Sequence, residues 1–431
     1  MPPMRILYSL AWFISLPFAF LYLLWRSRRQ PEYRLHWGER LGLAPRLQGR
    51  VIWIHAVSVG ETRAAAPLIH ALRRRYPDHA LLLTHMTPTG RATGKELYGD
   101  QVHQAYLPYD LPFLVARFLR RAQPALGVVM ETELWPNLLA ACAGRGVPML
   151  LVNARLSEKS AAGYRRHGSL AGAALRNLTA IGAQTEADAA RLRGLGAARV
   201  QVTGNLKFDV TAPADTPVRA ADLRRLFAGR FVVLCASTRE GEEALLLEHL
   251  ARLPIPGLLL VVVPRHPQRF DEVAGLIQAA GLACVRRSAG APVPPQTPVF
   301  LGDSRGEMAA YYAAADLAYV GGSLLPLGGQ NLIEAAAAGC PALVGPHTWN
   351  FLEAAEQAVQ QGAALRVADA ETLARQVLAL HGCAGERERM TQAGLAFAAA
   401  NRGATERTMQ MLEQALAEGG YKTAGASGSS L

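Results

Sequence analysis

The run at residues 51–57 is apolar apart from His55 and leads into Ser58-Val59-Gly60-Glu61, which sets a carboxylate at the mouth of a candidate helix. A first-turn acid there is favoured by the helix dipole, typically by under ~1 kcal/mol. The same carboxylate can also serve as a general base toward an acceptor hydroxyl. A nucleophile elbow does not fit, because Ala56 stands where that turn needs glycine and no suitable Asp/His pair follows. Three further strand ends in this half carry polar groups. Thr-His-Met-Thr-Pro-Thr-Gly at 84–90 precedes Arg91 and Lys95, offering hydroxyls, backbone N–H groups and positive charge to a phosphate, although it is also ordinary turn and cap chemistry. Glu131 and Glu133 at 130–137 could bind sugar hydroxyls or assist proton transfer, and solvated loop acids would look the same. Asn153, Arg155 and Lys159 follow at 152–160 and give a basic rim.

The second half repeats the pattern with different groups. Ser237 and Thr238 can cap a helix and donate to a phosphate, while Glu242 and Glu243 read as first-turn acids. Arg265, His266 and Arg269 crowd one strand end, which favours contacts with an anion or a base over packing. A glycine-flanked turn enters a helix at Gly306-Glu307-Met308. Gly321, Gly322, Gly328 and Gly329 then surround a helix expected to begin near Gln330; its N-terminus suits a phosphate, and Glu334 one turn in suits ribose hydroxyls. The eleven histidines show no metal-ligand spacing and no Asp-X-Asp presents itself for a metal-bound diphosphate, so metal-independent chemistry without a cofactor is the simpler expectation.

These groups need strand ends to hold them. Continuous apolar runs at 51–57, 80–86, 125–131, 148–154, 180–185 and 200–204 alternate with helix-like stretches, as in parallel sheets buried on both faces. The pattern pauses at 208–224, with Pro213 and Pro217, and restarts at 231–237, 258–264, 298–303, 317–323 and 341–346. This predicts an α/β protein of two doubly wound, Rossmann-like domains joined near residue 212 and facing a cleft. Helices at about 384–418 could pack back across the junction, and 419–431 reads as a disordered tail. Without Gly-X-Gly-X-X-Gly, the pair suggests a nucleotide-sugar transferase more than a dehydrogenase.

Charge and hydropathy narrow the partners. Residues 1–210 carry 27 basic and 13 acidic side chains and 211–431 carry 18 and 21, so the whole excess lies in the first half and calls for an anionic partner. Only four basic residues are Lys, which reflects either bidentate phosphate recognition or a codon bias toward Arg. Residues 6–25 hold no charge and at ~1.5 Å per residue would span roughly 30 Å, one hydrocarbon core. Arg26, Arg28 and Arg29 follow where a signal peptide would be cleaved, so a membrane anchor over 1–28 is expected, with the rest of the chain on the cytoplasmic side. Five scattered cysteines without a Cys-X-X-Cys pair agree with a reducing compartment.

Taken together, WIHAVSVGE, THMTPTG, METELWPN, STREGEE, PRHPQRF, GGSLLPLGGQN and GPHTWNF (345–351) make the chain resemble, over essentially its whole length, the bacterial 3-deoxy-D-manno-octulosonic acid (Kdo) transferases of lipopolysaccharide assembly. The resemblance implies the GT-B architecture, with an acceptor domain at 29–211 and a nucleotide-sugar domain at 212–418. It implies transfer of Kdo from CMP-Kdo to the tetraacyl disaccharide bisphosphate precursor of lipid A, with inversion by single displacement. It places the catalytic base on Glu61. CMP-binding positions fall on Arg265 and His266, on Gly306, Glu307 and Met308, and on Asn331, Leu332, Ile333 and Glu334. Gln330 and Arg239 stand where many relatives carry His. The implied partners are CMP-Kdo, the lipid A precursor and an anionic inner-membrane surface, with no nucleic acid. A GT-B transferase acting on another lipid-linked acceptor would share the pattern. A non-catalytic lipid- or nucleic-acid-binding protein would explain the basic half but not Glu61 or the glycine-rich helix mouth.

Overall fold

The computed structural model describes residues 3–166 and 168–418; the tail expected at 419–431 lies outside the described residues. The chain forms two compact units, one running to Val210 and resuming at Arg402, the other spanning Thr211–Asn401.

The first unit is built on seven strands: β1 (Val51–His55), β2 (Ala80–His85), β3 (His103–Tyr106), β4 (Pro124–Met130), β5 (Met149–Ala154), β6 (Ala180–Ala183) and β7 (Val200–Val202). They lie in the order β3-β2-β1-β4-β5-β6-β7, with every pairing parallel. The continuous apolar runs are explained by helices on both faces: Val51 and Trp53 of β1 enter one core cluster, and Ile52 and Ile54 enter the other. The strand order reverses between β1 and β4, so the loops after these two strands flank the crevice where doubly wound sheets bind ligands.

The second unit repeats the design with β8 (Phe231–Thr238), β9 (Leu258–Pro264), β10 (Cys284–Arg286), β11 (Val299–Leu301), β12 (Leu317–Val320), β13 (Ala342–Val344) and β14 (Ala364–Arg366). Its order is β10-β11-β9-β8-β12-β13-β14, again all parallel, and the reversal falls between β8 and β12.

The C-terminal boundary differs from the expected 212–418. The helix Ala384–Ala400 stays in the second unit, where Met390 joins the core. The chain then breaks at Gly403 (φ 88°), and the helix Ala404–Glu418 returns to the first unit. Its Met409, Leu412 and Leu416 pack with Leu68 and Leu72, and Asp209 accepts the N–H groups of Gly403 and Thr405 at the turn. This apolar stripe finds its core only beside the helix Ala66–Arg75, which is why the first unit needs both ends of the chain.

The apolar N-terminal segment is the helix α1 (Pro3–Arg26), long and apolar enough to cross a membrane. It does not stand free. Trp12, Leu16 and Phe20 pack on Tyr109, Leu111 and Leu114 of the first unit, while most of its other large apolar side chains are exposed.

Candidate active site

In the first unit Glu61 sits at the reversal of strand order. Ser58 caps the short helix Val59–Ala64, and Glu61 occupies its third position, the arrangement of a capping box. One carboxylate oxygen accepts the Val57 N–H at 2.7 Å and the other accepts the Ser58 hydroxyl at 3.1 Å. The side chain is 9% exposed. Burial, followed by the charge of Glu131, pushes its carboxyl up to about 7; the Val57 hydrogen bond opposes the rise and Glu133 adds to it. Two histidines at the ends of β1 and β2 do not offset this, because burial above all lowers His55 to about 3 and His85 to about 4, leaving both rings neutral. A buried carboxyl that ionises near neutrality beside the ends of sheet strands has the properties of a general base.

Glu131 ends β4 in the left-handed region (φ 58°) and pairs with Lys207 at 3.7 Å. A non-glycine residue held at positive φ is strained, and such strain concentrates at functional sites. Burial and then Glu131 also raise the Glu133 carboxyl. The three acids therefore belong to one electrostatic group. The neighbouring basic rim is only partly realised. Asn153 is fully buried, with its side-chain oxygen accepting the Leu206 N–H at 3.0 Å, and thus fastens β5 to the following chain. Arg91 is committed to Glu39 and stacks on Tyr106, and the exposed Lys95 pairs with Asp100. The phosphate site expected of Arg91 and Lys95 is accordingly not assembled.

In the second unit the loops after β8 and β12 meet. Ser237 lies at φ 55° where the β8–β9 register shifts, and Gly321 approaches it so closely that a Cβ would stand 2.5 Å from the Ser237 carbonyl oxygen. Only glycine fits there. Beneath them Glu242, 0% exposed, takes the N–H groups of Arg239 (3.0 Å), Gly322 (2.6 Å) and Leu324 (3.2 Å) and the Tyr319 hydroxyl (2.5 Å). Glu243 is equally buried, accepting the Thr238 hydroxyl at 2.8 Å and a bidentate contact from Arg269 at 2.7 and 3.1 Å. The two residues read as first-turn acids thus bind the site's loops together. Arg269, expected at an anion, is consumed by Glu243 and Glu272 and is structural.

Arg265 remains at the mouth of the site. Its Nε donates to the Gln330 side chain at 3.1 Å, and its main-chain N–H donates to Thr238. His266 beside it is exposed; burial of its inner part, then Arg239 and Arg265, keep its ring below the ordinary range and so neutral. The helix expected near Gln330 begins at Ile333 instead, because Asn331 turns its oxygen to the Ile333 N–H (3.1 Å) and its amide to Glu334 (3.0 Å). Leu332 and Ile333 are each 2% exposed, so these two positions can offer a ligand main-chain groups only. Gly306 stands at φ 75° before the helix Met308–Ala314. Glu307 is held by Arg287 at 3.1 and 3.0 Å with Arg219 3.6 Å away; its burial favours the neutral acid, but the hydrogen bonds from Arg287 and Ser304 and the charges of Arg287 and Arg219 together outweigh it and keep the carboxyl low.

The model of the 3-deoxy-D-manno-octulosonic-acid transferase (kdotransferase) family matches residues 35–210. The 3-deoxy-D-manno-octulosonic acid transferase of Bordetella pertussis is 48% identical over 428 residues, covering 95% of this chain and 99% of its own length. The chain belongs to the Kdo transferases. The Haemophilus influenzae transferase is 38% identical over 95% of this chain and 98% of its own. A glycosyltransferase structure from Rickettsia africae, 13% identical, superimposes with a TM-score of 0.57 over 86% of this chain and 99% of its own and shares the fold. This Kdo transferase is therefore an α/β GT-B enzyme of lipopolysaccharide biosynthesis, as its motifs implied.

Proposed function

We propose that this Kdo transferase takes Kdo from CMP-Kdo and adds it to the tetraacyl disaccharide bisphosphate precursor of lipid A. The observation that carries the mechanism is the buried Glu61 carboxyl held against the Val57 N–H at the point where strand order reverses, where burial and Glu131 push it up to about 7. An acceptor hydroxyl bound there loses its proton to Glu61 as its oxygen attacks the Kdo anomeric carbon from the face opposite CMP. The bond to the CMP phosphate breaks in the same displacement, so the configuration inverts. CMP leaves as its own phosphate anion, met by Arg265 and by main-chain N–H groups near Ser237 and Asn331, with Glu307 and Glu334 toward the nucleoside. Neither a metal nor a cofactor takes part, and turnover is expected to survive a chelator. The arginines of the first unit attract the bisphosphate, and α1 anchors the enzyme to the inner membrane with its folded units on the cytoplasmic side.

Incubation of the purified chain with CMP-Kdo and either the lipid A precursor or a lipid-linked peptidoglycan intermediate tests the acceptor. Kdo is expected on the first alone. Kdo on the second alone would overturn the assignment.

A further inference from the structure

Resting on the reading of α1 as the membrane anchor, we infer that α1 does not cross the bilayer but lies in the plane of one leaflet, docked lengthwise on the first unit with its opposite face in the lipid. The docked positions, among them Tyr8, Ser9, Trp12, Leu16, Phe20 and Leu23, are half-buried or buried and follow the helical period. The opposite stripe of Leu7, Leu10, Ile14, Phe18, Leu21 and Trp25 is exposed and wholly apolar. Polarity divides along the same line: Arg5, Tyr8 and Ser9 turn toward the protein, where Ser9 and Asn137 exchange hydrogen bonds and Asp110 faces Tyr8 and Arg5.

The docking runs nearly the whole length of the helix. Ser9 meets Asn137, Trp12 meets the Tyr109 ring at 5.6 Å, Phe20 meets Trp37 at 5.0 Å, and Arg26 meets Tyr33. From Ser9 to Arg26 is about 25 Å of helix, most of the roughly 30 Å of a hydrocarbon core. Were α1 to cross, the flank it lies on would have to enter the hydrocarbon with it. That flank includes the helix Pro112–Ala122, with Arg117, Arg120 and Arg121, which no bilayer core accommodates cheaply. Lying flat, α1 needs to sink only about 5–10 Å.

Exposed apolar side chains also occur in the segments on which α1 packs. Leu35 (53% exposed), Leu43 (45%) and Phe113 (49%) each lie within two residues of Trp37, Leu41, Leu111 or Leu114, the groups on which α1 packs. Arg28, Arg29 and Arg34 stand exposed at its C-terminal end, as suits an anionic leaflet. A lipid surface is thus the occupant that both the charge and the patch fit. Asn137 stands in the first turn of the helix Pro136–Ala143, which follows the loop holding Glu131 and Glu133, so the docked helix brings the leaflet to the element next in the chain to two of the site's acids.

The test is an epitope tag before Met1 on the full chain, with protease added to intact spheroplasts and to inside-out vesicles, and Kdo transfer measured to show that the tagged enzyme is folded. The in-plane helix predicts a chain that sediments with membranes and a tag cut only in inside-out vesicles. A tag cut in intact spheroplasts, with the chain still in the membrane pellet, would overturn the in-plane arrangement and leave the anchor reading standing. A chain found in the soluble fraction would overturn both. As a second measurement, the double variant I14E/F18E is expected to bind phosphatidylglycerol/phosphatidylethanolamine vesicles at least tenfold more weakly with an unchanged thermal melt; unchanged binding would contradict the proposal.

Discussion

The Glu61 carboxylate folds back onto the Val57 N–H at 2.7 Å, so the residue that closes the helix cap is also the one whose carboxyl is pushed up to about 7. A cap normally lowers a carboxyl, and the Val57 contact does act in that direction. It loses to burial and to Glu131, and the imbalance turns a routine first-turn acid into a group that can exchange a proton near neutral pH.

The activity should report that proton. A base must be ionised, so kcat/KM is expected to rise tenfold per pH unit on the acid side, bend near pH 7 and level off above it. A profile flat from pH 5 to 8 would contradict the assignment.

Replacing the neighbouring acid should move the bend. Glu131→Gln removes the second-largest cause of the Glu61 shift, so the acid limb is expected to move to lower pH while the plateau rate changes less. Because Glu131 also pairs with Lys207, K207M serves as the control, and a limb displaced equally by both would point to a local rearrangement instead.

The same shift has a signature in stability. A carboxyl with a raised folded-state value contributes stability that is complete below its unfolded value and is lost as pH rises through about 7. Glu61→Gln stays neutral throughout, so its melting temperature is expected to match the wild type below about pH 4 and to exceed it above pH 8, by about 2–4 °C for each kcal/mol recovered. Calorimetry at the two pH values checks this, and a gap independent of pH would speak against a buried, titrating Glu61.

Glu242 should matter far more than its place in a helix's first turn suggests. Glu242→Ala leaves the Arg239, Gly322 and Leu324 amides and the Tyr319 hydroxyl without their shared acceptor, at roughly 1–3 kcal/mol for each buried group left unpaired. Denaturant melts are expected to show a loss on the order of 3 kcal/mol or more, and CMP-Kdo binding should weaken at least tenfold. Unchanged binding would mean that these loops do not form the donor site.

What the sequence could and could not show follows from how far each signal is local. The long buried runs were legible, but β3, β10 and β14 were not: at three or four residues, with partly exposed positions such as His103, Arg286 and Arg366, they carry no continuous apolar run. Glu61 was legible because capping and cleft chemistry coincide at one strand end. Glu242 and Glu243 do stand in the first turn of their helix, but their part in binding the loops was not legible, because their partners Gly322 and Arg269 lie 80 and 26 residues away. The early helix start at Gln330 failed on a local competitor, the Asn331 side chain. For α1 the hydropathy was plain, but the stripe of Arg5, Tyr8 and Ser9 gains meaning only beside Asp110 and Asn137.

The most direct test of the account is mass spectrometry of the product formed from CMP-Kdo and the lipid A precursor by the wild type and by Glu61→Gln, with CMP-Kdo binding measured on both. The account predicts Kdo added by the wild type, the number of units read from the same spectrum, and turnover lower by a factor on the order of 100 or more in the variant at nearly unchanged donor affinity. Wild-type turnover in the Gln variant would contradict the assignment of Glu61 as the base.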